Sequence, residues 1–174
     1  MKKRTSRLLW AAALLLLAAV LVWVNLPEPR QVPAGAGVGE RLPDFRIPCV
    51  DGGEFTLSQH RGEVVVINLW ATWCTPCVKE LPHFDRLQRE NPGRVAVLAL
   101  HVPPVTTDVA EYLSAFSYEI PFAVDEDGGV SALLNAGTVL PQTVILSPEG
   151  VVTYNGVGSL TAEKLAALTA EAAD

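Results

Sequence analysis

A buried strand that runs directly into a helix constrains the fold of this chain more than any other feature of its sequence. Residues 63–70 read Glu-Val-Val-Val-Ile-Asn-Leu-Trp. A β-branched apolar run of this kind is typical of a central strand that is buried on both faces. After a short turn, apolar residues recur at intervals of three, at Val78, Leu81, Phe84 and Leu87. This spacing predicts a helix from Thr75 to about Asn91.

Two cysteines lie at this junction, in the sequence Cys74-Thr75-Pro76-Cys77. The free N–H groups at a helix N-terminus carry a partial positive charge, which stabilises a thiolate and lowers the pKa of a thiol placed there. We therefore expect Cys74 to be the attacking thiol at the helix start. Cys77 lies one turn further in, and we expect it to be more buried and to resolve the mixed disulfide that Cys74 forms with a partner. Pro76 suits the first helical turn, which does not need the N–H that proline lacks.

The spacing of the two cysteines is also found in zinc sites, haem attachment sites and structural disulfides. Zinc needs four ligands, but the only other cysteine is Cys49 and the three histidines form no close-spaced pair. Covalent haem attachment needs a histidine directly after the second cysteine, where this chain has Val78. A disulfide that closes so short a loop adds little stability. Redox chemistry of the cysteines themselves is therefore favoured, with neither a metal nor another cofactor expected.

The segment around these cysteines resembles the active-site segment of the thioredoxin superfamily. Residues 68–82 read Asn-Leu-Trp-Ala-Thr-Trp-Cys-Thr-Pro-Cys-Val-Lys-Glu-Leu-Pro. Within the superfamily they are most similar to the membrane-anchored TlpA/ResA-like thiol-disulfide oxidoreductases, which include the cytochrome c maturation thioredoxins. The resemblance extends from about Leu42 to Ala172. It implies an α/β, thioredoxin-like sandwich with an added N-terminal β-hairpin and a central insertion, preceded by one transmembrane helix.

The resemblance also implies roles for individual residues. The two cysteines match the attacking and resolving thiols, Trp73 matches the aromatic residue beside them, and Pro82 matches a proline that kinks the helix. Glu80 matches an acidic residue that is thought to influence thiol pKa values and to assist proton movement. Because positions three apart share a helix face, Glu80 lies one turn beyond Cys77; the alternative is an ordinary solvated glutamate. Thioredoxin has a buried aspartate where this chain has Asn68, and an amide cannot shuttle a proton.

A second motif lies where a predicted strand at 142–147 is preceded by Leu140-Pro141. Proline cannot donate to a central ladder, so it belongs at a strand beginning. The resemblance implies that Pro141 is cis and lies against the cysteines. It also implies that the backbone of Leu140 pairs with the substrate segment by strand addition. The predicted substrate-binding residues are Trp73, Thr75, Pro76, Leu140 and Pro141.

The N-terminal region predicts a membrane anchor. Leu8 to Val24 is an uninterrupted apolar run, which as a helix spans about 26 Å, close to the lower limit for crossing a bilayer. The Lys and Arg residues before it keep the N-terminus in the cytoplasm. We expect residues 1–26 to form a signal anchor, 27–39 a flexible linker, and 40–174 one extracytoplasmic (periplasmic) domain attached to the bacterial cytoplasmic membrane. The alternative is a signal peptide cleaved near Ala34-Gly35-Ala36.

Hydrophobic periodicity and turn residues predict the remaining elements. They are a hairpin of 42–50 and 54–57, a buried strand at 94–100, a helix at 107–116, a short helix at 130–135, a hairpin of 142–147 and 151–154, and a closing helix at 161–172.

Charge and the third cysteine are less informative. The first 30 residues have a net charge of +4 in a chain of net charge −6, so the rest has −10. An acidic domain of this kind repels nucleic acid, which is not an expected partner. Cys49 is interpreted as a small, buried apolar residue in the first hairpin; the alternative is a third redox thiol.

The leading functional hypothesis is a membrane-tethered protein-disulfide reductase. By resemblance, its substrates are apocytochrome c or copper-assembly proteins, and a membrane donor supplies its electrons. A thiol peroxidase would need Pro-x-x-x-Thr-x-x-Cys, but for Cys74 the matching positions are Ile67 and Ala71. Related copper carriers use Cys-x-x-x-Cys with a downstream histidine. The spacing here is one residue shorter, and His101 is an unsupported candidate for that histidine.

Overall fold

The computed structural model describes residues 14–18, 20–21 and 32–174. The chain divides into two compact units, 1–31 and 32–174. In the first, residues 14–18 and 20–21 are helical, and most of the predicted anchor lies outside the described residues. Among the residues that are described, no helix has both the length and the apolar character needed to cross a membrane.

The second unit contains seven strands and four α-helices within residues 32–174. They are β1 (Arg46–Pro48), β2 (Glu54–Thr56), β3 (Val64–Trp70), α1 (Thr75–Glu90), β4 (Val95–His101), α2 (Val109–Leu113), β5 (Phe122–Val124), α3 (Gly129–Leu133), β6 (Gln142–Leu146), β7 (Val152–Val157) and α4 (Ala162–Ala172). A short 3-10 helix, Leu57–His60, follows β2.

A five-stranded mixed sheet forms the centre of this unit, in the order β5-β4-β3-β6-β7. β3 is parallel to β4 and β4 to β5, whereas β6 is antiparallel to both β3 and β7. Every residue of β3 and β4 is buried, because helices cover one face and the N-terminal hairpin and α3 cover the other. This is the thioredoxin-like α/β architecture that the sequence predicts.

Side chains on alternate positions of β3 belong to two separate apolar clusters. Val66 and Trp70 pack with residues of α1 and α4, and Ile67 and Leu69 pack with residues of the hairpin and of the α3 region. In the register of the parallel pair, Trp70 lies opposite His101. The ends of β3 and β4 therefore meet at the edge of the sheet where α1 begins.

The N-terminal hairpin is joined to the central sheet. β1 and β2 pair antiparallel around the turn at residues 51–53, where Gly52 has a φ of 89° that favours glycine. Cys49, just after β1, bridges to Ala123 of β5. Part of the predicted linker also packs on this unit, since Ala36 is buried and the N–H of Gly35 donates to the C=O of Arg41 at 3.0 Å.

Three elements differ clearly from the prediction. The strand predicted at 42–50 is confined to β1, because β1 pairs with β2 at only three positions and the N–H of Leu42 donates to the C=O of Gly150 at 3.0 Å instead. The helix predicted at 107–116 is confined to α2, because the Ser114 hydroxyl donates to the C=O of Glu111 at 2.6 Å and competes with helix continuation. The sequence did not reveal β5, which has only three residues and shows no alternating pattern between Pro121 and Asp125.

Candidate active site

Cys74 and Cys77 form a disulfide bond at the start of α1. Cys74 is the N-cap residue of the helix, and its Sγ accepts from the N–H of Cys77 at 3.3 Å. Cys74 is 5% exposed and Cys77 is fully buried, so the order of burial is the one that the sequence predicts. A sulfur at the N-cap that accepts the N–H of Cys77 lies at the positive end of the helix dipole, an arrangement that stabilises its thiolate after reduction.

The surface around Cys74 combines an aromatic ring with small exposed side chains. Trp73 is 50% exposed, and its Nε1–H donates to the C=O of Pro104 at 3.3 Å. Thr75 and Pro76 are exposed on the other side of Cys74. An approaching polypeptide can therefore contact all three side chains.

Glu80 is buried behind the disulfide, with 2% of its surface exposed. Its Oε1 accepts from Nδ2 of Asn68 at 2.9 Å, and its Oε2 accepts from the N–H of Leu160 at 2.9 Å. Burial raises the pKa of Glu80 above its usual range, and the hydrogen bonds from Leu160 and Asn68 oppose that rise. The alternative of a solvated helix glutamate is wrong, because α1 turns this face toward the sheet and the loop before α4.

A cavity of about 270 Å³ opens beside this carboxyl group. Its lining includes Pro76, Lys79, His83 and Leu160. A ring nitrogen of His83, Nδ1, lies 3.3 Å from the C=O of Leu160. The peptide groups on both sides of Leu160 are thus bound by side chains of α1, which fixes the loop against the active-site helix.

The Leu140–Pro141 peptide bond is cis, as the resemblance implies. Gln142 at the start of β6 pairs with Leu69 near the end of β3, so this peptide lies at the same sheet edge as the cysteines. The C=O of Pro141 accepts from the N–H of Gly158 at 2.8 Å. Within residues 32–174, neither the N–H nor the C=O of Leu140 has a hydrogen-bond partner, and both are available to a substrate backbone.

His101 lies at the site, although the sequence analysis named it only as an unsupported candidate for a copper-binding histidine. It is fully buried at the end of β4, and its Nε2 accepts from the N–H of Thr72 at 3.1 Å. Its ring packs edge-on against Trp70, with centroids 5.2 Å apart. Burial lowers the pKa of His101 below its usual range. The sequence signal that could have placed it at the site is its position at the end of a second buried strand, because parallel strands bring their carboxyl ends to one edge of the sheet.

The buried polar atoms without hydrogen-bond partners are concentrated near this edge. Over the part of the chain that the structure describes, four buried side-chain atoms lack a partner: Asn68 Oδ1, Trp70 Nε1, Thr72 Oγ1 and His101 Nδ1. All four belong to the end of β3, the turn that follows it, or the end of β4. Such atoms are costly to bury, and they are expected at functional sites more than elsewhere.

Cys49 is separate from this site in sequence and in its contacts. It is partly buried and forms no disulfide, and it lines a cavity of about 730 Å³ with acidic residues of the loop after β5. Burial, with the nearby charge of Asp51, raises the pKa of its thiol. Among the described residues, no group of three or more His, Cys, Asp or Glu side chains is arranged to hold a metal ion.

Residues 38–155 match the AhpC/TSA family. The chain is similar to the thiol-disulfide oxidoreductase ResA of Geobacillus kaustophilus, with 30% identity over 167 residues that cover 95% of both chains. It is also similar to the thioredoxin-like protein YneN of Bacillus subtilis, with 29% identity over 161 residues that cover 90% of this chain and 94% of YneN.

Solved structures show the same architecture. A putative thiol:disulfide interchange protein DsbE from Chlorobium tepidum superposes with a TM-score of 0.71 at 27% identity, covering 79% of this chain and 99% of that protein. StoA from Bacillus subtilis superposes with a TM-score of 0.64 at 22% identity, covering 74% of this chain and 97% of StoA. The second similarity supports the fold alone.

Proposed function

Because this chain belongs to the AhpC/TSA family of thioredoxin-like proteins, we propose that its cysteine pair reduces disulfides in partner proteins outside the cytoplasm. The enzyme is a thiol-disulfide oxidoreductase. The observation that carries the proposal is the disulfide between an N-cap cysteine, Cys74, and the buried Cys77 one turn later.

The reaction starts from the reduced pair. The Cys74 thiolate attacks one sulfur of a substrate disulfide, forms a mixed disulfide and releases the other substrate sulfur as a thiolate. Cys77 then loses its proton and attacks the sulfur of Cys74. This step forms the Cys74–Cys77 disulfide and releases the second substrate thiolate. The dithiol has given two electrons to the substrate, and two electrons from a membrane donor return it to the reduced state.

Glu80 is suited to take the proton from Cys77. It lies one helical turn away on the same face, and burial raises its pKa, which makes its carboxylate a stronger base. Asn68 donates to Glu80 instead of carrying a proton itself. Proton movement at this site therefore depends on the carboxyl group of α1.

Substrate binding uses the surface on both sides of Cys74. The free N–H and C=O of Leu140 offer a strand-like pairing to an extended substrate segment, with Pro141 holding this backbone at the edge of the site. Trp73, Thr75 and Pro76 contact the same segment from the helix side. A cysteine in the centre of the segment then lies next to Cys74.

The proposed location is the outer face of the bacterial cytoplasmic membrane. The apolar run at 8–24 and the basic residues before it support a single N-terminal anchor with the domain outside. Residues 1–26, 27–39 and 40–174 are the proposed anchor, linker and catalytic domain. The active-site motif supports apocytochrome c or copper-assembly proteins as substrates, and the acidic domain disfavours nucleic acid as a partner.

Two other functions of this fold lack the residues that they need. The peroxidase pattern requires Pro and Thr where this chain has Ile67 and Ala71, both of them buried and apolar. A copper carrier would use a downstream histidine, but the Nε2 of His101 is bound to the N–H of Thr72. Disulfide exchange is the function that the site supports best.

Trapping of a mixed disulfide tests this proposal. Cys77→Ser in the full chain, expressed in its own host, leaves Cys74 able to attack but removes the thiol that releases the substrate. We expect this variant to accumulate disulfide-linked complexes with extracytoplasmic proteins that contain paired cysteines, identifiable by mass spectrometry. Cys74→Ser is the matched control and should trap none. Equal recovery of complexes from both variants, or none from Cys77→Ser, would overturn the proposal.

A further inference from the structure

His101 contacts the turn that leads to the attacking cysteine. Thr72 lies in the turn between β3 and α1, and its N–H donates to Nε2 of His101 at 3.1 Å, although the two residues are 29 positions apart. Inside the turn, the N–H of Cys74 donates to the C=O of Ala71 at 3.0 Å. The contact with His101 therefore joins the turn to the neighbouring strand.

This hydrogen bond determines which nitrogen of His101 carries the proton. A backbone N–H can only donate, so Nε2 must be unprotonated in order to accept from Thr72. In the neutral ring the proton then lies on Nδ1, which has no partner within residues 32–174. The ring packs edge-on against Trp70 at a centroid distance of 5.2 Å, and His101 is fully buried.

The surroundings of His101 hold few ionisable groups. From β3 and its turn, Trp70 and Thr72 face the ring, and neither titrates. From the loop after β5, the N–H of Asp125 donates to the C=O of His101 at 2.9 Å; the carboxylate of Asp125 accepts from the N–H groups of Val130 and Ser131 in α3.

Residues of α2 and α1 are neighbours of Trp70, which in turn packs against His101. Tyr112 of α2 lies 6.1 Å from Trp70 between ring centroids, and from α1 the two active-site cysteines belong to the same apolar cluster as Trp70. Apart from these cysteines, Tyr112 and Asp125 are thus the titratable groups that face His101 and its contacts.

We propose that neutral His101 is a positioning residue that holds the turn before Cys74, and that protonation of its Nε2 releases this turn and slows thiol exchange. This inference rests on the function proposed for the cysteine pair. A protonated Nε2 is a donor and faces another donor, the N–H of Thr72, so their hydrogen bond cannot form. The turn then keeps its internal bond and the bond from Trp73 to the C=O of Pro104, but it loses its hydrogen bond to β4. Misplacement of a reacting group by about 1 Å is able to reduce a rate by about a hundredfold.

The test compares His101→Gln with His101→Leu in the full chain, each carrying Cys49→Ser so that only the active-site thiols react. Glutamine places an acceptor at a reach similar to that of Nε2 but does not titrate. Leucine removes the acceptor. The reduced proteins are treated with iodoacetamide from about pH 4 to about pH 8, a window that extends below the range of an ordinary histidine because burial lowers the pKa of His101. Modification of Cys74 is followed by peptide mapping. Circular dichroism at each pH confirms that the proteins are folded.

We expect the reactivity of Cys74 in the parent protein to fall with acidification more steeply than in His101→Gln, because His101 titrates in the parent in addition to the groups that the two proteins share. At neutral pH, His101→Leu should react at least about tenfold more slowly than the parent, and His101→Gln should recover most of that loss. If His101→Leu does not fold, the comparison of the parent with His101→Gln still decides the question.

Two results would overturn the positioning role. One is a pH profile that is the same in the parent and in His101→Gln. The other is a parent that is more reactive than His101→Gln at low pH, which would make the imidazolium an electrostatic activator of the thiolate. Failure of the proposed function is a separate result, seen when the parent reduces no protein disulfide at any pH while its alkylation profile still reports on His101.

Discussion

Two buried ionisable groups support the active site from different elements, Glu80 from α1 and His101 from β4. Burial raises the pKa of the carboxyl group and lowers the pKa of the imidazole, so it favours the neutral form of each. Their hydrogen bonding differs, however. Both carboxyl oxygens of Glu80 accept N–H groups, whereas one nitrogen of His101 accepts and the other has no partner among the described residues.

This difference separates two kinds of support for the cysteine pair. Glu80 joins the active-site helix to β3 and to the loop before α4, and it is the group that we propose to exchange a proton with Cys77. His101 fixes only the backbone of the preceding turn. We infer that the site uses one buried group for proton transfer and the other for the position of Cys74.

The largest expected effect comes from the cysteines that these two groups support. Cys74→Ser should abolish reduction of a protein disulfide, because no other thiol at the site is placed to start the exchange. Turnover is measured with a soluble disulfide-containing protein as substrate and a dithiol as electron donor. Activity in Cys74→Ser comparable to that of the parent would mean that neither buried group supports a reaction at Cys74.

A smaller effect on stability should distinguish the two buried groups. Glu80→Leu leaves the N–H of Leu160 without its partner and removes one of the two acceptors of the Asn68 amide. We expect it to lower the free energy of unfolding by about 2 kcal/mol. His101→Leu removes one acceptor, that of Thr72, and should cost about 1 kcal/mol. Urea unfolding measures both values, and a larger loss in His101→Leu would reverse the comparison.

The pH dependence of stability should have opposite signs at the two residues. A raised folded-state pKa means that the contribution of Glu80 is fully present below its ordinary value of 4.5 and is lost as the pH rises through the raised value. A lowered pKa means that the contribution of His101 is present above its ordinary value of 6.5 and is lost as the pH falls through the lowered value.

Conservative variants isolate these two contributions. The stability of the parent relative to Glu80→Gln should decrease as the pH rises, and its stability relative to His101→Gln should decrease as the pH falls. Equilibrium unfolding at a series of pH values gives both differences. If the two stability differences do not change with pH, or change in the same direction, burial does not shift the two pKa values in opposite directions.

The smallest effect is expected at Cys49, which contacts neither buried group. Cys49→Ser should leave disulfide reduction and the reactivity of Cys74 unchanged, because the burial that raises the pKa of its thiol keeps it in the unreactive form. Steady-state turnover of the variant and the parent checks this. A large loss of reductase activity would identify Cys49 as a third redox thiol.

Local patterns explain which parts of this site the sequence could predict. The strand-to-helix junction, the N-cap position of Cys74 and the helix face of Glu80 all depend on residues within one or two turns of each other. The partners of Glu80 did not follow from such patterns, since Leu160 lies 80 positions away. Contact between Thr72 and His101 similarly depends on the register of two parallel strands, which no local spacing determines.

In the fold, the length of an element decides how well the sequence predicts it. Long, strongly apolar strands such as β3 and β4 were predicted to within a residue or two, because burial on both faces requires a continuous run of apolar residues. The short strand β5 and the early end of α2 depend on neighbouring strands and on one serine hydroxyl. Neither feature can be predicted from local sequence patterns.

The order in which the two active-site thiols react tests the central claim most directly. The reduced full-length protein is treated with a limiting amount of iodoacetamide near neutral pH, and the modified cysteines are identified by peptide mapping. We expect Cys74 to react at least about tenfold faster than Cys77, because the Sγ of Cys74 caps the N-terminus of α1 while Cys77 is fully buried. Faster modification of Cys77, or equal modification of both thiols, would contradict it.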